Sequence, residues 1–219
     1  MLSLAEENYL KAIYHLHHEN NKAVSTNDLS SLLDTKASSV TDMLKKLADK
    51  SLVVYKKYQG VKLSDRGENT ALKVIRKHRL WEVFLVEKLN FNWDEVHDIA
   101  EQLEHIQSEK LTDELDRFLD YPKRDPHGDP IPNKDGQFEV ANKTMLSELE
   151  IGESGICIGV KDSSSAFLNY LDKQAIALGK TLTVKEKESF DQSMLVAYDD
   201  KVLRLSEQAT QNLYIKPNH

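Results

Sequence analysis

The chain has 219 residues, of which 40% are hydrophobic and 30% are charged, with one cysteine and a net charge of −7. This length allows one large domain or two to three small ones, and the composition is that of an ordinary globular protein. The sequence contains no apolar run long enough to span a membrane, and its N-terminus lacks the pattern of a secretory signal. One cysteine excludes an internal disulfide, so we expect a cytoplasmic protein.

The net charge conceals a division along the chain. Residues 1–80 hold 14 basic and 9 acidic residues, a net charge of +5. Residues 81–219 hold the other 15 basic and 27 acidic residues, a net charge of −12. A basic first third followed by an acidic body indicates a segment that meets a polyanion.

The first third of the chain predicts three helices and a hairpin. Ser3 and Glu6 form a capping box that opens the first helix, and the next two helices are expected to be capped near Ser25 and near Ser38. The second and third helices form a helix-turn-helix pattern. Residues 52–63 then predict strand, turn and strand, which completes the order of a winged helix. The same pattern is also compatible with a generic small α+β unit.

The central part carries six potential metal ligands at helical spacings. A long helix capped by Ser64 is expected to reach Lys88, and a second helix that begins near Asn92 is expected to run through His105. Residues three and four apart share a helix face, so the ligands on each helix converge. Imidazoles and carboxylates on facing helices suit Mn²⁺, Fe²⁺ or Zn²⁺. The six residues are His78, Glu82, His97, Glu101, Glu104 and His105.

The rest of the chain predicts an apolar stripe, a connector and a β-rich domain. The stripe is suited to a dimer contact and consists of Leu111, Leu115, Phe118 and Leu119. Residues 121–133 hold four prolines and predict an extended connector. A small barrel is then expected, with one helix at 165–174 and strands at 155–160, 181–187, 194–198 and 201–205. We therefore predict a mainly α protein with small β parts and three domains, at residues 1–72, 73–140 and 141–219.

Five segments are specific when they are taken together. They read ENYLKAIY (7–14), ASSVT (37–41), RKHRLWE (76–82), VHDIAEQLEH (96–105) and DPHGDPIP (125–132). In this order they resemble the diphtheria-toxin-repressor and iron-dependent-regulator family of bacterial metalloregulators, including its manganese-transport-regulator branch. The resemblance covers nearly the whole chain. It implies a winged helix-turn-helix, a helical metal-binding and dimerisation domain, and a C-terminal SH3-like barrel of the FeoA type.

The resemblance implies a homodimeric repressor that binds double-stranded promoter DNA and represses metal-uptake genes when Mn²⁺ or Fe²⁺ is bound. The family pattern places a primary metal site at Asn8, Glu101, Glu104 and His105. It places a second site at His78, Glu82 and His97, with Asp162 as a candidate further ligand. Asp125 and His127 are weaker candidates.

Three positions depart from the family pattern. Iron-type members carry methionine and cysteine where this chain has Asn8 and Glu101. The oxygen ligands here favour Mn²⁺, although Fe²⁺ also accepts them. The binuclear manganese branch has a carboxylate at the position of Lys11, whose ammonium would lie beside the metal. We therefore expect two separate metal sites in place of a close binuclear cluster.

On this hypothesis the third helix meets the DNA. Hydroxyl groups and N-terminal N–H groups of the helix reach phosphates and base edges, and lysines contact phosphates. Small hydroxyl side chains make few base-specific bonds, so DNA shape is expected to carry much of the specificity. The residues expected at the DNA are Lys36, Ser38, Ser39, Thr41 and Lys45, with further contacts from Lys46 and, on the wing, from Lys56, Lys57 and Lys62.

Two other functions stay open from the sequence alone. One is a metal-independent winged-helix regulator in which the ligand-type residues form a polar network. The other is a metallohydrolase that uses the same residues catalytically. The sequence has no His-Glu-x-x-His pattern, Gly-rich phosphate loop or Ser-His-Asp pattern. An enzyme with a small-molecule substrate is therefore not expected.

Overall fold

The structure, a computed structural model, describes residues 2–56, 59–139 and 142–218. The chain divides into two compact units that alternate along the sequence. The first unit comprises residues 1–78, 101–109 and 132–137. The second comprises residues 79–100, 110–131 and 138–219.

The first unit opens with the predicted winged helix-turn-helix. Its elements in chain order are α1 (Leu4–Asn20), α2 (Thr26–Leu32), α3 (Ala37–Asp49), β1 (Val53–Lys56), β2 (Gly60–Leu63) and the first half of α4 (Asp65–Leu89). β1 and β2 pair antiparallel, and Val24 bridges to Val61 beside them. Leu10, Ile13 and Leu44 are fully buried at the centre of this unit. Burying each such side chain contributes roughly 1.5–3 kcal/mol.

The caps of the first two helices are confirmed, and the cap of the third is not where it was predicted. The Ser3–Glu6 capping box opens α1, and Ser25 caps α2. The N-cap of α3 is Lys36, which makes no side-chain capping bond, and not Ser38. Ser38 therefore lies in the first helical turn and is exposed there. Without a side-chain cap, the first N–H groups of α3 are left for solvent or a ligand.

A buried carboxylate joins the first and third helices. Glu6 is 1% exposed, and its Oε1 lies 2.7 Å from Lys50 Nζ and 3.1 Å from Lys46 Nζ. Burial acts to raise the pKa of Glu6, but the hydrogen bonds from Lys50, from the Ser3 backbone and from Lys46 outweigh it. The pKa falls from 4.5 to about 2. Lys46 is thus an exposed lysine that pairs with the buried Glu6, and this pairing competes with a phosphate contact.

This shift predicts a pH-dependent loss of stability when Glu6 is replaced by glutamine. Because the folded-state pKa lies below the ordinary value of 4.5, the carboxylate stabilises the fold above that pH, and this contribution disappears as the pH falls through about 2. With allowance for the partly exposed lysines, Glu6→Gln should lower the free energy of unfolding by about 1–2 kcal/mol at pH 7.

Urea unfolding of Glu6→Gln and of the wild type from pH 7 to pH 2 measures this difference. Asp42→Asn is the matched control, since Asp42 is a 78% exposed carboxylate that pairs with Lys45. The control should change stability little at any pH. A deficit of Glu6→Gln that stayed constant down to pH 2 would contradict the explanation.

The second unit begins with the remainder of α4 and includes most of two shorter helices. These are α5 (Val96–Leu103) and α6 (Glu109–Phe118). The prediction that α5 runs through His105 is wrong, because Glu104 and His105 form a turn after its last residue. Only part of the predicted apolar stripe at α6 is buried. Its members Leu115 and Leu119 are buried, whereas Leu111 and Phe118 are 40% and 64% exposed.

A six-stranded antiparallel sheet forms the C-terminal part of the second unit. In chain order, the described residues of this part form six strands and two α-helices: β3 (Thr144–Met145), β4 (Ser154–Val160), α7 (Ser165–Gln174), β5 (Thr181–Lys187), β6 (Met194–Tyr198), β7 (Lys201–Leu205), α8 (Glu207–Thr210) and β8 (Leu213–Pro217). The strand order is β3-β8-β4-β5-β6-β7. The predicted helix and four strands are confirmed, whereas β3, α8 and β8 were not predicted. In the part of the chain that the structure describes, no helix has the length and hydropathy needed to cross a membrane.

Candidate metal centre

The first cluster of ligand-type side chains surrounds Glu104 in the first unit. Glu104 is fully buried, and its Oε2 lies 2.6 Å from Nδ1 of His78. His105 presents Nε2 at 3.6 Å from Glu104 Oε1. One ligand atom each from His78, Glu101 and Glu104 lies within 4.8 Å of the other two. Three of the six predicted ligands therefore meet at one point, and His105 borders it.

A lysine occupies the middle of this cluster. Lys11 Nζ lies 2.5 Å from Glu101 Oε1 and 2.7 and 2.8 Å from the two oxygens of Glu104. The side chain of Lys11 is only 12% exposed. The sequence predicts this ammonium beside a metal ion, and the structure shows which carboxylates it contacts.

Asn8 lies on α1, the helix that also carries Lys11, and its side-chain oxygen accepts no hydrogen bond from the described residues. Its Oδ1 is buried and has no hydrogen-bond partner among the described residues. Asn8 precedes Lys11 by three positions in α1, so both side chains lie on one face of the helix. Leaving a buried amide oxygen unsatisfied costs roughly 1–3 kcal/mol, and a bound cation removes that cost. The atom therefore fits the role of a ligand.

Glu7 orients His105, although no pattern in the sequence identifies it as a site residue. Glu7 is 4% exposed, and its Oε2 lies 2.7 Å from His105 Nδ1. Its other oxygen accepts a hydrogen bond of 2.7 Å from Gln107 Nε2. With Nδ1 engaged, Nε2 is the imidazole atom that remains for the cluster. A carboxylate behind a histidine is a common support of metal ligands.

A second cluster lies in the other unit. Glu82, Asp125 and His127 are buried, and one ligand atom from each lies within 4.8 Å of the other two. Glu82 Oε2 is 3.6 Å from His127 Nδ1, and Glu82 Oε1 is 3.6 Å from His97 Nδ1. The two weaker candidates, Asp125 and His127, thus lie deeper than His97, whose side chain is 61% exposed.

The protonation of this second cluster is strongly shifted. Burial raises the pKa of the Asp125 carboxyl well above its ordinary value, and the charges of Glu82 and Asp129 raise it further. Burial acts to lower the pKa of His127, but Glu82 and Asp125 outweigh it and raise the pKa to about 9. At neutral pH the His127 imidazole therefore carries a proton. A metal ion that binds to this imidazole has to displace that proton.

Asp162 lies in the segment before α7, in the second unit. It is half-buried, and its Oδ1 accepts a hydrogen bond of 2.8 Å from the Ser164 backbone. This contact is local, two residues along the chain. Its part in a metal site stays a prediction.

The residues predicted to meet DNA lie at the start of α3 and on the wing. Ser39 is exposed in the first turn, and Thr41 donates its hydroxyl to the Ala37 carbonyl at 2.9 Å. Lys45 pairs with Asp42 at 3.3 Å, and its side chain is 63% exposed. The exposed lysines that make the rest of this surface are Lys36, Lys56 and Lys62. Lys57 lies outside the described residues.

Three family descriptions match successive parts of the chain. They are an iron dependent repressor N-terminal DNA binding domain (residues 1–61), an iron dependent repressor metal binding and dimerisation domain (residues 64–133) and an FeoA domain (residues 144–217).

Individual relatives match between about half and nearly all of the chain. A solved structure described as a manganese-dependent transcriptional repressor complex with manganese is 35% identical and has a TM-score of 0.84, over 97% of this chain and 100% of that one. An uncharacterised HTH-type transcriptional regulator of Methanocaldococcus jannaschii is 36% identical over 119 residues, 54% of this chain and 95% of its own length. The iron-dependent repressor IdeR of Mycobacterium bovis is 30% identical over 153 residues, 67% of this chain and 66% of its own length.

Proposed function

The chain belongs to the iron-dependent repressor family of metal-dependent, DNA-binding transcriptional regulators, and we propose that it represses metal-uptake promoters when Mn²⁺ or Fe²⁺ occupies the cluster around Glu104. The family's members are repressors and not enzymes, so the hydrolase alternative falls away. We expect the protein to act in the cytoplasm as a homodimer on double-stranded DNA.

One observation carries this proposal. A buried carboxylate, Glu104, gathers an imidazole from α4 and faces a second imidazole, while Asn8 on α1 keeps a buried oxygen without a hydrogen-bond partner among the described residues. Amide, carboxylate and imidazole ligands together suit Mn²⁺ and Fe²⁺ better than softer metals. Asn8, Glu101, Glu104 and His105 would hold the ion, with His78 bonded to Glu104.

Such an ion would tie the first helix of the DNA-binding domain to the turn after α5. In linkage terms, a metal that binds the DNA-competent arrangement more tightly shifts the population towards it, and DNA then raises the metal affinity by the same factor. The residues of this cluster lie in the same unit as α3. Metal binding would therefore act directly on the unit that presents α3 to the DNA.

A second ion is proposed at Glu82, Asp125 and His127, with His97 at the rim. The three buried side chains are close enough to share one cation, and they supply two carboxylates and one imidazole. The two proposed sites use different residues. This arrangement fits two separate mononuclear sites.

The remaining surfaces fit DNA and a second copy of the chain. The first turn of α3 presents exposed hydroxyls next to Lys36, and the wing carries Lys56 and Lys62. On α6, the exposed ring of Phe118 packs beside Phe84, with 6.2 Å between the ring centres. An exposed aromatic residue beside a partly buried one suits a dimer contact.

The deciding experiment is a fluorescence-anisotropy titration of the DNA upstream of the protein's own gene. It compares chelator, Mn²⁺, anaerobic Fe²⁺ and Zn²⁺. The proposal predicts tighter binding with Mn²⁺ or Fe²⁺ than with chelator, and loss of that difference in the double variant Glu101→Ala/His105→Ala. Each true phosphate contact should contribute about −0.9 to the slope of log K against log salt. Equal affinities under all four conditions would exclude a metal-dependent repressor.

A metal-independent winged-helix regulator is the second candidate, and Lys11 favours it. Its ammonium already supplies a cation to Glu101 and Glu104. If that charge alone holds the DNA-competent arrangement, the protein with Glu101 and His105 in place should bind DNA equally tightly in chelator and with Mn²⁺. The same titration therefore separates the two candidates.

Glu7 provides a further prediction for the proposed site. Replacing it by alanine frees the His105 ring to rotate, so the affinity for Mn²⁺ should fall about 10–100-fold. Calorimetric titration measures this loss. Gln107→Ala is the matched control, because it removes the other hydrogen bond of Glu7 and leaves the bond to His105 in place. Equal effects of the two substitutions would show that Glu7 acts by some route other than orienting His105.

A further inference from the structure

The three N–H groups of Lys11 donate to the same carboxylate oxygens that would bind the proposed metal ion. One points to Glu101 and two point to Glu104, at distances of 2.5, 2.7 and 2.8 Å. An ammonium has three donors and no acceptor, so this arrangement uses its full hydrogen-bonding capacity. The oxygens of Glu101 and Glu104 therefore already hold one monovalent cation, the ammonium of Lys11.

The burial of the carboxylates explains why a cation has to be present. Glu104 is fully buried, and the side chain of Glu101 is 35% exposed. Two neighbouring carboxylates in such a place are strongly destabilised as anions unless a positive charge faces them. The side chain of Lys11 is 12% exposed and carries that charge on a flexible four-carbon stem.

An ammonium and a divalent ion cannot both use these oxygens. Mn²⁺ and similar ions bind carboxylate oxygens at about 2.0–2.2 Å. An ion at that distance from Glu101 and Glu104 would meet Lys11 Nζ at close range, where two positive charges repel each other strongly at low dielectric. The Oδ1 of Asn8, three positions earlier in α1, has by contrast no hydrogen bond to lose among the described residues.

We propose that Lys11 is a tethered counter-cation. It holds Glu101 and Glu104 together in the metal-free protein, and an incoming divalent ion has to expel its ammonium. Lys11 thereby sets the metal concentration at which the regulator responds. This inference rests on the proposed metal site and adds the competing group that tunes it.

Calorimetric titration with Mn²⁺ tests the competition. The full-length chain carries Glu82→Gln in every sample, so that the second proposed site does not contribute. Lys11→Met should bind Mn²⁺ at least tenfold more tightly than the parent, and its metal-free form should melt at a lower temperature. Lys73→Met is the matched control, since Lys73 forms a 2.9 Å pair with the exposed Glu109 on the outside of the same unit. The control should match the parent in both measurements.

A second readout uses the parent chain with Lys11 in place, so it does not depend on how the variant folds. Reductive methylation followed by peptide mass spectrometry should find Lys11 protected in chelator and modified when Mn²⁺ is present. The same experiment should find Lys73 modified equally in both conditions. Protection of Lys11 that Mn²⁺ leaves unchanged would overturn the displacement.

The possible results distinguish this inference from the proposed function. Equal Mn²⁺ affinity of the parent and Lys11→Met would overturn the counter-cation while leaving the metal site standing. No saturable Mn²⁺ binding by any of the three proteins would remove the metal site and the inference with it. Binding by Lys11→Met alone would overturn the displacement, because the ammonium of Lys11 would then keep Mn²⁺ out of the parent at every concentration.

Discussion

Replacing Glu104 by alanine is expected to abolish the response of DNA binding to Mn²⁺ and to lower the free energy of unfolding by about 3 kcal/mol. The carboxylate is fully buried and accepts from Lys11 while it lies 2.6 Å from His78. Removing one member of a buried ion pair typically costs about 3–5 kcal/mol, because the partner charge is left uncompensated. Here Glu101 remains beside Lys11 and moderates the loss.

Two measurements check this expectation. Urea unfolding of the metal-free protein gives the change in stability, and anisotropy with and without Mn²⁺ gives the change in DNA binding. Glu109→Ala is the control, since Glu109 is 86% exposed and its loss should cost less than about 0.5 kcal/mol. A Glu104→Ala protein that kept its Mn²⁺-dependent affinity for DNA would show that the metal acts elsewhere.

Local signals in the sequence located most of the elements. The serine before α7 caps the helix by accepting from the Phe167 backbone, and the helix spans the predicted residues 165–174. β5 covers the predicted residues 181–187, and its side chains Leu182 and Val184 alternate into the core. Capping chemistry and period-two burial are properties of a few adjacent residues, so they are visible before folding.

The end of α5 was missed because distant contacts decide it. The periodic pattern continues through His105, yet Glu104 and His105 leave the helix after Leu103. Their side chains bond to Lys11 and to Glu7, which are more than 90 positions earlier in the chain. Tertiary contacts of this kind override a weak helical preference over the last turn.

For the same reason, the sequence alone indicates only some of the residues that form the candidate sites. Glu7 reads as an ordinary charged residue in the first turn of a helix, and only the fold shows that it is buried against His105. Asp125 and His127 lie in a proline-rich connector, and their proximity to Glu82 depends on the path of that connector. Spacing along the chain indicates which residue types are available, but not which of them are buried together.

The path of the connector also makes Gly128 a sensitive position. Gly128 has φ +89°, and a Cβ placed on it would lie 2.1 Å from the Ile158 carbonyl oxygen and 2.2 Å from Gly159 Cα. The preceding residue, His127, accepts a 2.8 Å backbone hydrogen bond from Val160. The absence of a side chain at Gly128 therefore lets the connector lie directly on β4 and holds His127 at Glu82.

Gly128→Ala is expected to lower the free energy of unfolding by about 2–6 kcal/mol. Part of this is the strain of a non-glycine residue at positive φ, about 1–3 kcal/mol, and part is the clash with backbone atoms, about 1–3 kcal/mol. Gly152→Ala separates the two, because Gly152 has φ +91° and nothing within 4 Å of its would-be Cβ. The control should therefore show the strain alone.

Metal binding gives the second half of this comparison. Moving the connector away from β4 shifts His127 relative to Glu82, so Gly128→Ala should lose one of the two proposed Mn²⁺ sites in a calorimetric titration, and Gly152→Ala should keep both. Because the strain is common to the two variants, any difference in Mn²⁺ stoichiometry follows from the displaced backbone. Equal destabilisation and equal stoichiometry in the two proteins would mean that the contact between Gly128 and β4 does not position His127.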